Sequence, residues 1–108
     1  MQYYKYLYVG ENLTDKKEQI IAKLDENKFM LNTYIIALAR GEQNHLELFN
    51  AALLKQGLFS KNNLFVVGIA DGYEEALEVV EEITKEVYDN TKGADIRSFI
   101  LKKEMDEP

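Results

Sequence analysis

Two uninterrupted apolar runs of strand length constrain the fold of this chain most. Residues 33–39 read TYIIALA and residues 64–70 read LFVVGIA. A strand that is apolar on both faces has to be covered on both faces, which is typical of the central strands of a sheet between two helical layers. The two runs therefore predict two central strands in a three-layer α/β domain.

Strand-like and helix-like segments alternate around these runs. Residues 3–9 (YYKYLYV) are aromatic and β-branched and predict a first strand, and residues 96–101 predict a fourth strand at an edge of the sheet. Apolar residues recur at helical intervals over residues 13–28, 42–56 and 73–87. The predicted order of elements is βαβαβαβ.

This order predicts a mostly parallel sheet, because strands joined by helix-length crossovers are normally parallel. We predict a single three-layer domain over residues 1–101 with a flavodoxin-like or similar four-stranded sheet. A frayed C-terminal tail is expected over residues 102–108. A ferredoxin-like fold is the runner-up, and it requires that residues 42–56 do not form a helix.

The charge balance narrows the classes of partner. Thirteen Lys and Arg residues against nineteen Asp and Glu residues give a net charge of -6. An acidic chain lacks the basic surface that binds nucleic-acid phosphates or anionic membranes. There are no cysteines, and no apolar run approaches the roughly 18 residues of a membrane span. We expect a cytoplasmic protein without a nucleic-acid or membrane partner.

The turns that follow the predicted strands supply the candidate ligand-binding residues. Ligands of open α/β sheets bind at the carboxyl ends of the strands. The residues there that offer a charged, polar or aromatic group are Arg40, Asn44, His45, Asp71 and Tyr73. No turn matches a phosphate-binding loop or the dinucleotide fingerprint. Each turn also carries a carboxylate where a phosphate would bind, which disfavours nucleotides.

Acidic residues in the same turns offer a second hypothesis. Glu11, Glu42 and Asp71 could together hold a hard cation such as Mg²⁺, which prefers carboxylate oxygens. Each acid can equally stabilise the amino end of its own helix. We therefore predict no metal and no cofactor, and keep these three residues as weak candidates.

The first strand is rich in tyrosine. Tyr4, Tyr6 and Tyr8 alternate along it and so share one face. Tyrosine joins a large apolar ring to a polar tip and is common at interfaces. The three rings are candidates for a homodimer interface, and the alternative is a peripheral strand packed under a helix.

The functional hypotheses belong to two classes. The leading one is a non-catalytic binding or assembly module, because the sequence offers one histidine, no nucleophile motif and no metal-ligand spacing. The alternative is a small-molecule-binding or enzymatic domain that uses the crevice at the carboxyl ends of strands two and three. Arg40 and His45 would then bind or activate the ligand.

Overall fold

A mixed four-stranded sheet lies in the middle of the molecule. The computed structural model describes residues 1–26, 28, 30–38, 45–55 and 64–106. The strands in these ranges are β1 (Gln2–Val9), β2 (Thr33–Leu38), β3 (Leu46–Asn50) and β4 (Phe65–Asp71). Their order across the sheet is β1-β4-β2-β3. The β1–β4 pair is parallel, and the β2–β4 and β2–β3 pairs are antiparallel.

Helices cover both faces of this sheet. They comprise a 3-10 helix (Glu11–Lys16), α1 (Lys17–Asp25), α2 (Ala51–Lys55), α3 (Tyr73–Thr91) and α4 (Ile96–Met105). Leu13, Ile20 and Ala51 belong to the core on one face, which packs the 3-10 helix, α1 and α2 against the sheet. Ile83 and Ile100 belong to the core on the other face, where α3 and α4 pack.

The predicted mostly parallel, flavodoxin-like sheet is wrong, and the connection between β1 and β2 explains why. Two short helices replace the predicted single helix over residues 13–28. Gly10 donates its backbone N–H to Ile69 near the end of β4, and Gly72 donates to Asn32 just before β2 begins. The chain therefore leaves β1 and enters β2 at the same end of the sheet. As a result, β2 runs antiparallel to β1 and β4.

The predicted helix over residues 42–56 is wrong over residues 46–50 and correct over residues 51–55. Residues 46–50 pair with β2 as strand β3, and helix α2 begins only at Ala51. The sequence LELFN carries apolar residues that suit either a helix or a two-residue alternation, and hairpin pairing decides between them. The order of elements up to β4, β-α-β-β-α-β, is compatible with the ferredoxin-like runner-up. Helices α3 and α4 follow β4, and β1 and β4 form a parallel pair.

The predicted edge strand over residues 96–101 is helix α4 instead. The side chain of Asp95 accepts a hydrogen bond from the backbone N–H of Ser98 at 3.0 Å, which caps the first turn. This hydrogen bond lowers the pKa of the Asp95 carboxyl below its usual value. Helix α4 continues to Met105, past the position where the tail was predicted to begin.

We predict that helix α4 contributes to stability mainly through Ile100. Its side chain is fully buried, whereas the neighbouring Leu101 is partly exposed. Ile100→Ala should lower the free energy of unfolding by about 2–5 kcal/mol, and Leu101→Ala should lower it by less than about 1 kcal/mol. Urea unfolding followed by circular dichroism measures both changes. Equal losses in the two variants would contradict this packing of α4.

Candidate functional site

Of the five predicted ligand-binding residues, the structure describes His45, Asp71 and Tyr73, and His45 lies apart from the other two. Arg40 and Asn44 lie outside the described residues. His45 is exposed and immediately precedes β3, whereas Asp71 ends β4. Strands β3 and β4 both run antiparallel to β2, so the start of β3 and the end of β4 lie at opposite ends of the sheet. A strand of six residues such as β2 spans roughly 17 Å, which keeps His45 and Asp71 apart.

Asp71 and Tyr73 are held by local contacts at the end of β4. The Asn32 amide donates a hydrogen bond to the Asp71 carboxylate at 3.0 Å. The ring of Tyr73 meets the ring of Tyr34 edge to face, with 5.7 Å between the ring centroids. These contacts fix how α3 leaves β4, and they place Tyr73 on the β2 side of α3.

An acidic cleft lies where the parallel strands β1 and β4 end. Its volume is about 330 Å³, and it is lined by Glu11, Asn12, Asp71, Glu74, Glu75 and Glu78. Two of the three weak candidates for cation binding, Glu11 and Asp71, therefore line one cleft, and Glu42 lies outside the described residues. Within the described ranges, no three Asp, Glu or His side chains are arranged to hold a metal ion.

Gly10 and Glu75 close the inner wall of this cleft. The Glu75 side chain is buried, and its Oε1 accepts a hydrogen bond of 3.4 Å from the backbone N–H of Asp71. A Cβ atom at Gly10 would lie only 1.6 Å from Glu75 Oε1 and 2.8 Å from its Cγ. The φ angle of Gly10 is an ordinary -58°, so the close approach of Glu75 is what requires glycine here.

The tyrosines of β1 have different environments. Tyr4 is buried beneath the second face of the sheet. The Tyr8 hydroxyl donates a 2.6 Å hydrogen bond to Glu86 of α3. Tyr6 remains 44% exposed, and the ammonium of Lys103 lies 5.0 Å from its ring centroid. All three predicted interface tyrosines therefore make contacts within the chain, and of the three only Tyr6 remains exposed.

An exposed apolar surface, which the sequence reading did not single out, lies beside α3. The buried stripe of α3 uses Ala76, Val79, Ile83 and Val87. Tyr73 and Leu77 lie on its flank and are 55% and 45% exposed. We call this region the α3–β3 surface. It consists of Tyr73, Leu77 and Val80 of α3, Tyr34 of β2, and Leu46 and Leu48 of β3.

The position of this surface follows from helix and strand geometry. Residues 73, 77 and 80 are spaced i, i+4, i+7 and share one flank of α3. The Tyr34–Tyr73 ring contact shows that this flank faces β2, and β3 is the next strand beyond β2 in the sheet. Leu46 and Leu48 alternate on the same face of the sheet and are half-buried. The helical spacing over residues 73–87 was visible in the sequence and Tyr73 was a predicted ligand-binding residue, but the spacing alone does not show which apolar residues are buried.

Comparison with known proteins finds no family, no curated protein and no solved structure that matches this chain. In the part of the chain that the structure describes, no helix is both long enough and apolar enough to cross a membrane.

We predict that Gly10 and Glu75 are energetically coupled. Gly10→Ala should lower the free energy of unfolding by about 1–3 kcal/mol because the methyl group overlaps Glu75. Gly93→Ala is the matched control, since a Cβ there meets atoms only at 3.7 Å and beyond. Adding Glu75→Ala to Gly10→Ala should recover part of the loss, as a double-mutant cycle would reveal. Strictly additive losses would refute the overlap.

We predict opposite effects for removing the hydroxyls of Tyr4 and Tyr8. None of the described residues forms a hydrogen bond with the buried Tyr4 hydroxyl. Tyr4→Phe should therefore raise the free energy of unfolding at pH 7 by about 1 kcal/mol, and Tyr8→Phe should lower it by about 1–2 kcal/mol. Chemical denaturation of both variants measures the difference. A loss of stability in Tyr4→Phe equal to that in Tyr8→Phe would contradict the unpaired hydroxyl.

The pH dependence gives an independent check on Tyr4. Burial, with a further contribution from the Glu86 carboxylate, raises the pKa of Tyr4 to about 12. The pKa of tyrosine in an unfolded chain is about 10. The free energy of unfolding is therefore unaffected by the ionisation of Tyr4 below that pH and falls as the pH rises from there towards 12. The fall should be shallower in Tyr4→Phe.

Proposed function

We propose that this chain is a non-catalytic binding module that holds an amphipathic segment of another protein on the α3–β3 surface. The observation that supports the proposal is the exposure of Tyr73 and Leu77 on the flank of α3 that faces β2, with the half-buried Leu46 and Leu48 of β3 on the same face of the sheet. Exposed apolar side chains that are contiguous, unlike single ones, typically mark interaction sites.

The exposed side chains Tyr73 and Leu77 stand on a helix that is anchored in the core, which suits them to binding a partner. Helix α3 spans 19 residues, and its inner stripe is fixed in the core by Val79, Ile83 and Val87. The Tyr34 ring braces Tyr73 from the sheet. Aromatic and aliphatic side chains held in place lose little conformational freedom on binding, so more of the burial energy appears as affinity.

The expected affinity is that of a transient complex. Complete burial of a Tyr-sized or Leu-sized side chain contributes about 1.5–3 kcal/mol. Tyr73 and Leu77 are already partly buried, so each contributes less than this on binding. The loss of translational and rotational freedom on association opposes this gain. Dissociation constants of roughly 10 μM to 1 mM are therefore expected for a short segment.

A helical peptide made only of leucine and glutamine tests the proposal. We expect an uncharged amphipathic peptide of about 14 residues, a common helix length, to shift the backbone amide signals of α3 and β3 in a ¹H–¹⁵N titration. A hydrocarbon staple keeps the peptide helical. Absence of shifts at α3 and β3, or shifts confined to other elements, would overturn the proposal.

A matched pair of variants locates the contact. Leu77→Gln should weaken peptide binding about tenfold, since it removes one buried apolar side chain while keeping a good helix former. Met105→Gln is the control, because Met105 is 83% exposed on α4 and does not belong to the α3–β3 surface. Equal weakening in both variants would show binding that is not specific to this surface.

A further inference from the structure

The charge of α3 bears on what the α3–β3 surface binds. Helix α3 carries seven carboxylates and one lysine. Glu74 and Glu81 lie three residues before and four residues after Leu77, so both neighbour it on the helix surface. Both are exposed. The apolar flank of α3 is therefore bordered by negative charge.

The architecture of the second face bears on the shape of the occupant. Helix α3 packs over β4 and β2, and α4 packs beside it against β1. Packed helices lie about 8–10 Å apart, which is about two strand spacings. One more helix beside α3 on the opposite side from α4 would lie over β3. None of the described helices occupies that position.

We infer that the segment held on the α3–β3 surface is a cationic amphipathic helix of a partner protein, lying over β3 beside α3. This inference rests on the function proposed above and adds the charge and secondary structure of the partner. Its apolar stripe covers Tyr73, Leu77 and Leu48, and its Lys or Arg residues face Glu74 and Glu81. Such binding is the helix-in-groove mode of recognition.

The same charges disfavour a second copy of this chain as the occupant. A twofold dimer brings the same patch of both subunits together. The α3–β3 surfaces of two copies would then bring Glu74 and Glu81 of each copy close to those of the other, and like charges in an interface oppose association. A cationic helix instead gains attraction at the same positions.

Three stapled helical peptides of the same leucine pattern, with lysine, glutamine or glutamate at the polar positions, test the inference. We expect the Leu/Lys peptide to bind the full chain about tenfold more tightly than the Leu/Gln peptide at low salt, and the Leu/Glu peptide to bind most weakly. The advantage of the Leu/Lys peptide should shrink as salt is added, because exposed charges are screened. Calorimetry measures the affinities, and amide shifts locate the contact.

Charge-neutral variants separate local attraction from the net charge of the protein. Glu74→Gln with Glu81→Gln should weaken Leu/Lys binding about fivefold and leave Leu/Gln binding unchanged. Asp15→Asn with Glu18→Gln is the matched control. It changes the net charge equally at two exposed positions on the opposite face of the sheet.

Each outcome bears on one of the two proposals. If the Leu/Gln peptide binds at α3 and β3 but the Leu/Lys peptide binds no better, the cationic partner is refuted and the binding module stands. If neither peptide shifts the amides of α3 and β3, the proposed function fails. If both pairs of charge-neutral substitutions weaken Leu/Lys binding equally, the effect comes from the net charge of the protein, and the inference is overturned. A dimer in sedimentation that Leu77→Gln dissociates would identify a second copy as the occupant instead.

Discussion

The fold depends on strand β4, which is hydrogen-bonded on both edges and buried on both faces. It pairs with β1 in parallel and with β2 in antiparallel orientation. The side chains of Val66, Val67 and Ile69 are fully buried, with Val66 and Ile69 in one core and Val67 in the other. A strand of this kind needs helices on both faces. The carboxyl end of β4 also bonds Gly10 and Asn32, and so determines where the chain leaves β1 and enters β2.

The sequence allowed the strands with distinctive composition to be predicted, but not the direction of the chain between them. Strands β1, β2 and β4 were predicted close to their observed bounds, because long apolar or aromatic runs indicate burial whatever the topology. The strand structure of residues 46–50 depends on pairing with β2, a partner outside the segment itself. A missed strand alters the direction of its neighbours, so the strand missed at residues 46–50 and the strand wrongly predicted at residues 96–101 together changed the whole sheet. Of these errors, the one at α4 had a local signal in the sequence, because Asp95 stands three residues before Ser98 and caps the first turn of the helix.

The candidate site was less predictable than the strands, because it depends on which residues the topology brings together. His45 and Asp71 both lie in turns next to strands, and the parallel sheet predicted from the sequence would have brought such turns to one edge. In the mixed sheet they lie at opposite ends. The exposure of Leu77 has a different cause. Helix α3 has more apolar residues than one stripe can bury, and only the tertiary packing shows that Ile83 lies inward and Leu77 on the flank.

The two edge strands of the sheet, β1 and β3, differ in how described helices cover them. This difference connects the fold to the proposed function. At β1, the Glu104 carboxylate of α4 accepts a hydrogen bond from the backbone N–H of Lys5 at 2.9 Å, and Ile100 anchors the helix in the core. A covered edge of this kind resists pairing with other chains. None of the described helices covers the β3 edge in the way that α4 covers the β1 edge. The carboxylates along α3 repel one another and cost the helix some stability. The cationic helix that we propose over β3 would relieve that repulsion and also bury the flank of α3, so one occupant would improve both the packing and the charge balance of this face.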